Sequence, residues 1–164
     1  IVASLVGSEM CIRDRNESFN VSKASVLGNP TLYQVESIQA DKHYNTLLVA
    51  EEMEEHHKVM VLDLMTGEVL KEDLGDFNRG NDPEGIALVI NEDHQGYWIC
   101  TEQSKTDNRF HLYDRKTLEN FATMYLDNVS YTDGIATAYM HGKWFLYAVD
   151  NDARVAAFEL PEIN

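Results

Sequence analysis

A chain of 164 residues with 28 acidic and 13 basic side chains, net charge −15, has room for one domain with a sizeable core. Its acidic surface repels nucleic acid and anionic lipid. No apolar run approaches the roughly 18 residues of a membrane helix. An anionic ligand could approach such a chain only through a mediating cation, so the charge favours a metal site or simple solubility.

The first fifteen residues differ from the rest. Ser4-Leu5-Val6-Gly7-Ser8-Glu9-Met10-Cys11-Ile12-Arg13-Asp14-Arg15 resembles the translated sequencing-adapter peptide found in assembled environmental sequences. A signal-peptide reading fails, because the apolar run is short and Glu9 and Asp14 follow it closely. Residues 1–15 are therefore set apart as non-native, and residues 16–164 are read as a partial domain. The natural N-terminus, with any targeting signal, is expected to lie upstream.

From Asn16 the pattern is strand, turn, strand. Val21–Leu27 reads as the outer strand of a preceding unit, ended by Gly28-Asn29-Pro30. Leu32–Ala40 and Thr46–Glu51 are apolar, β-branched runs parted by polar turn residues. Val59–Leu64 is a third strand, and Thr66-Gly67 turns the chain into a fourth over Glu68–Leu74. The phrase then repeats as Ile86–Ile90, Gly96–Thr101, Arg109–Tyr113 and Asn120–Leu126, with Asp114–Glu119 in the turn that Asp63–Glu68 held before. A third round gives Ile135–Tyr139, Trp144–Val149 and Arg154–Leu160. No segment sustains helical periodicity. Cys100 lies in the hydrophobic run Tyr97–Cys100 and reads as a buried, unpaired thiol.

The repeat is visible in its acidic residues. Glu36, Glu84 and Asp133 stand 48 and 49 positions apart, each followed by a small residue and an isoleucine as a strand begins. Four strands per unit of this period is the signature of β-propeller blades. The expected architecture is all-β: about three four-stranded blades, an incomplete ring whose last blade lacks its outer strand. In a closed ring the N-terminal part of the chain often supplies that strand and hides the sheet edge.

The innermost strand of a propeller blade lines the central channel, so Glu36, Glu84 and Asp133 can face one mouth. Clustered carboxylates repel and persist only by sharing protons or binding hard cations such as calcium. The alternative is that each caps a turn. Glu51-Glu52, Glu102-Gln103 and Asp150-Asn151-Asp152 end the second strands and form a second polar layer, as added ligands or as solvated loop ends. Glu54-Glu55-His56-His57 reads as a solvated hairpin loop, and His43, His94, His111 and His141 fit neither a zinc spacing nor a nucleophile triad.

Asp82-Pro83-Glu84-Gly85-Ile86, Gly96-Tyr97-Trp98 running to Glu102-Gln103, His111–Arg115 and Thr132-Asp133-Gly134-Ile135 together resemble the C-terminal half of β-propeller phytases. Val35-Glu36-Ser37-Ile38 with Ala50-Glu51-Glu52 matches their preceding blade, and the resemblance runs over roughly residues 30–160. It implies a six-bladed propeller that hydrolyses phosphate monoesters, notably phytate, with several calcium ions at one channel mouth. It also implies secretion or a periplasmic location, and N-terminal blades beyond this chain. Carried over by position, Glu36, Glu84 and Asp133 are implied to be catalytic. Glu36, Glu52, Asp82, Glu84, Asp127 and Asp133 are implied calcium ligands, with Glu52 and Gln103 at the calcium and phosphate site. Calcium would lower the pKa of a bound water that attacks phosphorus in line. Ser37 replaces the family's glycine, and the lysines, arginine and tyrosine that grip phosphate in the family belong largely to earlier blades. Two other readings stay open: a catalytically silent propeller that binds a partner or small ligand, and a gluconolactonase-like propeller hydrolase. The latter would use a Glu, Asn and Asp set around one ion.

Overall fold

The computed structural model describes residues 11–13, 18–20, 30–75, 77, 81–106 and 108–162, the first two segments as backbone only. All regular structure among them is strand, and none of it is a helix long and apolar enough to cross a membrane. β1 (Cys11–Arg13) and β2 (Ser18–Asn20) pair antiparallel as a small separate sheet. The strand expected at Val21–Leu27 lies outside the described residues, as do Gly28 and Asn29 of the turn after it.

From Val35 the chain forms three antiparallel sheets in which strands adjacent in sequence are adjacent in space. The first holds β3 (Val35–Asp41), β4 (Thr46–Glu51), β5 (Lys58–Asp63) and β6 (Val69–Lys71). The second holds β7 (Asp82–Ile90), β8 (Gly96–Gln103), β9 (Arg109–Asp114) and β10 (Asn120–Met124). The third holds β11 (Ile135–Met140), β12 (Lys143–Asp150) and β13 (Arg154–Glu159), with β13 at its free edge among the described residues. The strand order follows the repeat in the sequence.

Most strands differ from the sequence expectation at one end or both, β7 by starting at Asp82 and not Ile86, and two of these shifts have a visible hydrogen-bond cause. β3 begins at Val35, not Leu32, because the N–H groups of Tyr33 and Gln34 donate to the Glu51 carboxylate (2.6 and 2.5 Å) instead of joining the ladder. β6 ends at Lys71, not Leu74. The register slips between Val61 and Leu62, after which Leu74 returns to donate to the Val59 carbonyl at 2.8 Å.

The three sheets stack because the period-2 alternation places different residues on their two faces. Leu48, Ala50, Val59 and Val61 of the first sheet meet Ile86, Trp98, Cys100 and Tyr113 of the second. On the other face of the second sheet, Val89, Tyr97, Ile99, Phe110 and Leu112 meet Leu146, Ala148 and Leu160. The middle sheet is thus apolar on both sides, which is why β8 and β9 read as nearly continuous hydrophobic runs. Cys100 is buried and unpaired, and burial pushes its thiol pKa up.

The turns repeat as closely as the strands. Asp63 accepts from the N–H groups of Met65 and Thr66 (2.9 and 2.8 Å), and Asp114 accepts from those of Lys116 and Thr117 (2.9 and 2.6 Å). Between sheets, buried Arg115 grips buried Asp41 through Nε and Nη2 (2.6 and 2.7 Å), donates to the His94 carbonyl and stacks over Tyr44.

The first strands of the sheets lie side by side, with β7 between β3 and β11. The Ile86 N–H donates to Ser37 Oγ at 3.2 Å, and the Thr137 hydroxyl donates to the Leu88 carbonyl at 2.8 Å. Gly85 is required here. A Cβ on it would stand 2.8 Å from Ile135 Cγ1 and 2.9 Å from Ile135 N. That packing carries the head of β7 close against β11.

Candidate metal centre

Bulges aim the acidic residues at the heads of these strands. The β3–β4 register breaks between Val35 and Ser37, leaving Glu36 out of the ladder. The β7–β8 register breaks between Pro83 and Ile86, freeing Glu84 and Gly85. A bulge kinks the strand and redirects the unpaired residue. Asp133 lies just ahead of β11, where the Gly134 carbonyl accepts from the Val149 N–H at 2.9 Å.

Glu36, Glu52 and Glu84 converge, each offering a carboxylate oxygen within 4.8 Å of the other two. Glu84 is buried, Glu52 half-buried and Glu36 exposed. Burial pushes the Glu84 carboxyl up to about 9, reinforced by the proton it shares with Glu52 and by the charges of Glu52, Glu36 and Asp133. Glu36 is raised by its partial burial, then by Glu52 and Asp133. Asp133 is raised by burial and by a hydrogen bond and repulsion from Asp152, while the Gln103 amide, which donates to Asp133 Oδ1, lowers it. Asp133 is felt at both Glu36 and Glu84, so the acidic residues form one electrostatic unit. Asp82 flanks it, raised by burial and by Glu52 and Glu54 and lowered by His57.

The second polar layer divides in two. Glu51 and Glu102 are 0% exposed and Asp150 is 4% exposed, and each latches the segment leading into the first strand of its own sheet. Glu51 accepts from the backbone N–H groups of Tyr33 and Gln34, Glu102 from the Asn81 side-chain Nδ2 (2.6 Å), and Asp150 from the Ser130 backbone N–H (3.2 Å). Glu102 also lies 2.7 Å from His111 Nε2 and 3.7 Å from Arg109 Nη1. The residues that follow Glu51 and Glu102, Glu52 and Gln103, reach the acidic centre, as does Asp152. The pairs Glu51-Glu52 and Glu102-Gln103 thus split between scaffold and site. The signal was period-2 alternation carried past the end of the strand.

Asp127 is not among the three converging carboxylates; it lines a recess of about 540 Å³ with Lys105, Asn108, Asp150 and Arg154. His57, read from sequence as part of a solvated hairpin, has a side chain only 10% exposed, with Nε2 3.1 Å from Asp82 Oδ1.

A family model for Phytase matches residues 20–148. The chain belongs to the Phytase family. A comparison with curated proteins gives no match. Among solved structures, an α-L-arabinofuranosidase (CtGH43) of Clostridium thermocellum is similar at 12% identity and a TM-score of 0.48, over 79% of this chain and 47% of that one. The chain spans about half the length of that structure.

The donor set suits a hard cation. All three converging ligands are carboxylate oxygens, with no thiolate or imidazole in the group. Calcium takes six to eight such oxygens at roughly 2.3–2.6 Å, and softer metals favour sulfur and nitrogen.

Proposed function

We propose that the chain is part of a calcium-dependent phosphomonoester hydrolase acting on phytate-like substrates. One observation carries this reading: in a member of the Phytase family, carboxylates from two successive sheets converge within 4.8 Å. Three sheets of this kind would be consecutive blades of a six-bladed ring, with β3, β7 and β11 lining its channel. Residues 16–164 are then the native portion and residues 1–15 an adapter-derived addition. The remaining blades belong to the upstream part of the same chain, and the location is secreted or periplasmic.

Glu36, Glu52 and Glu84 hold cations in this reading, with Asp82 and Asp133 completing the ring of ligands. Bound calcium supplies charge neutralisation of the phosphate and a water of lowered pKa for in-line attack on phosphorus. Gln103 turns the Asp133 carboxylate by donating to it. The buried Glu51, Glu102 and Asp150 keep the strand heads at fixed positions. Glu84, whose carboxyl is raised to about 9 by burial and its acidic neighbours, would have to release its proton to hold a cation.

The test is phosphate release from phytate, with calcium and with chelator, by this chain and by a version extended with the upstream blades. The extended protein is expected to release phosphate only with calcium. Calcium binding without release in the extended protein would assign the chain instead to a cation-stabilised binding module. Absence of calcium binding would end the reading.

A further inference from the structure

The hairpin Glu52–His57 contains the one histidine among the described residues that stands against an acidic residue at the rim of the metal centre. His57 leaves the first sheet just before β5 and reaches Asp82, the first residue of β7 in the second sheet. Its side chain is nine-tenths covered, and Nε2 lies 3.1 Å from Asp82 Oδ1, within hydrogen-bonding distance. The other ring nitrogen, Nδ1, is buried without a partner. A buried N–H with no acceptor costs more than a buried lone pair with no donor, because the donor loses a whole hydrogen bond. The neutral ring therefore carries its proton on Nε2, pointed at Asp82, and leaves Nδ1 bare.

The hairpin itself is held in place. Tyr33 stacks on His56 with ring centres 4.5 Å apart and planes 7° from parallel. The His56 N–H donates to the Met53 carbonyl at 2.6 Å, and the Glu52 N–H to the Gln34 carbonyl at 3.0 Å. Glu52 opens this hairpin and His57 closes it, so one loop supplies a member of the carboxylate group and a hand on the carboxylate beside it.

We propose that His57 is a positioning residue for the cation site: its Nε2–H fixes the Asp82 carboxylate so that the other oxygen faces the group formed by Glu36, Glu52 and Glu84. The inference rests on the reading of that group as a cation site. Outer partners that orient a liganding carboxylate are typically worth 10–100-fold in metal affinity. His57 acts across two sheets, so it also ties the loop that carries Glu52 to the head of β7.

The experiment is a calcium titration by calorimetry at pH 8 on wild type, H57F and H57Q, with the melting temperature of each cation-free protein measured alongside. H57F fills the space but removes the donor, and is expected to weaken calcium binding about 10–100-fold. H57Q keeps an N–H on a side chain of similar reach and is expected to recover most of the affinity. Histidine ¹H–¹⁵N spectra of the cation-free wild type provide a readout that needs no metal: His57 is expected as the Nε2-protonated tautomer. A proton on Nδ1, or equal calcium affinity in wild type and a folded H57F, overturns the positioning role alone. If H57F does not fold, H57Q and the spectra decide. No calcium binding by wild type overturns both this role and the cation site on which it rests.

Discussion

Replacing Glu84 with glutamine tests the acidic centre most directly. In the cation-free fold the Glu84 carboxyl is raised from 4.5 to about 9, by burial first and then by Glu52, Glu36 and Asp133. A raised acid favours the fold fully below its unfolded pKa and loses that contribution as pH climbs toward the folded value. Each pH unit in that window is worth about 1.36 kcal/mol, so between pH 4.5 and 7 the wild type gives up on the order of 3 kcal/mol at this one residue. Glu36, Asp82 and Asp133 are raised too and add to the slope in the same direction. E84Q keeps the shape and can donate to Glu52 at every pH, so it escapes the Glu84 share of the loss. In chelator, E84Q is expected to match the wild type near pH 4.5 and to melt about 6–12 °C higher at pH 7, taking about 2–4 °C per kcal/mol for a chain of this size. Millimolar calcium should reverse the order, because the wild type gains a bound cation and E84Q has lost a ligand. Thermal unfolding followed by circular dichroism across pH 4.5–8, with chelator and with calcium, reads all of this. Parallel pH profiles for the two proteins in chelator, or equal calcium stabilisation of both, would refute the assignment of Glu84 as the buried, proton-holding member of the group.

Three further substitutions test how the sheets are joined. Arg115→Met strands the buried Asp41 carboxylate and is expected to cost about 3–5 kcal/mol in urea unfolding. Burial alone would raise Asp41, but the Arg115 hydrogen bonds and charge and the His43 and Tyr44 amides hold it below its usual 3.8. That contribution is present above 3.8 and fades as pH falls through the lower folded value, so the gap between R115M and wild type should narrow in acid; a constant gap would count against the ion pair. Gly85→Ala presses a Cβ into Ile135 and is expected to cost about 1–3 kcal/mol. Gly134→Ala, whose Cβ would meet only Val149 Cγ2 at 3.4 Å, should be close to neutral, and equal costs would refute the close approach of β7 to β11.

The strands were legible because the two signals that define them are local. Short, nearly continuous apolar runs between polar turns marked β4, β5, β8 and β9, and the turn Asp63–Glu68, repeated at Asp114–Glu119, marked the unit. The repeat spacing also placed Glu36, Glu84 and Asp133 at equivalent strand heads, and they are electrostatically joined. The bulges were not legible. A register break depends on which partner the neighbouring strand offers; Glu36 carries no local mark of one, and Pro83 and Gly85 mark one only inside a strand, whereas this strand was expected to begin at Ile86. Asp127 reached the ligand set by family position alone, with no repeat partner, and it lines a recess with Lys105 and Arg154. His57 was hidden for the opposite reason: its neighbours Met53, Glu54 and Glu55 are exposed, and only the contact with Asp82 from the next sheet separates it from them.

The division between Glu51 and Glu52 shows why acidic residues are hard to assign from sequence in such a repeat. The two are adjacent and chemically alike, yet Glu51 is fully buried against the amides of Tyr33 and Gln34 while Glu52 joins Glu36 and Glu84. A carboxylate that accepts backbone N–H bonds is stabilised as an anion without any cation. A carboxylate surrounded by other carboxylates must share a proton or bind a metal. The same split recurs at Glu102-Gln103, where the buried member holds Asn81 and the next residue bonds Asp133. The amide-bound set keeps the strand heads in place, so the repulsion within the converging set cannot be relieved by moving apart. Strand geometry therefore holds the carboxylates together at one point, where a proton on Glu84 or a hard cation relieves their repulsion.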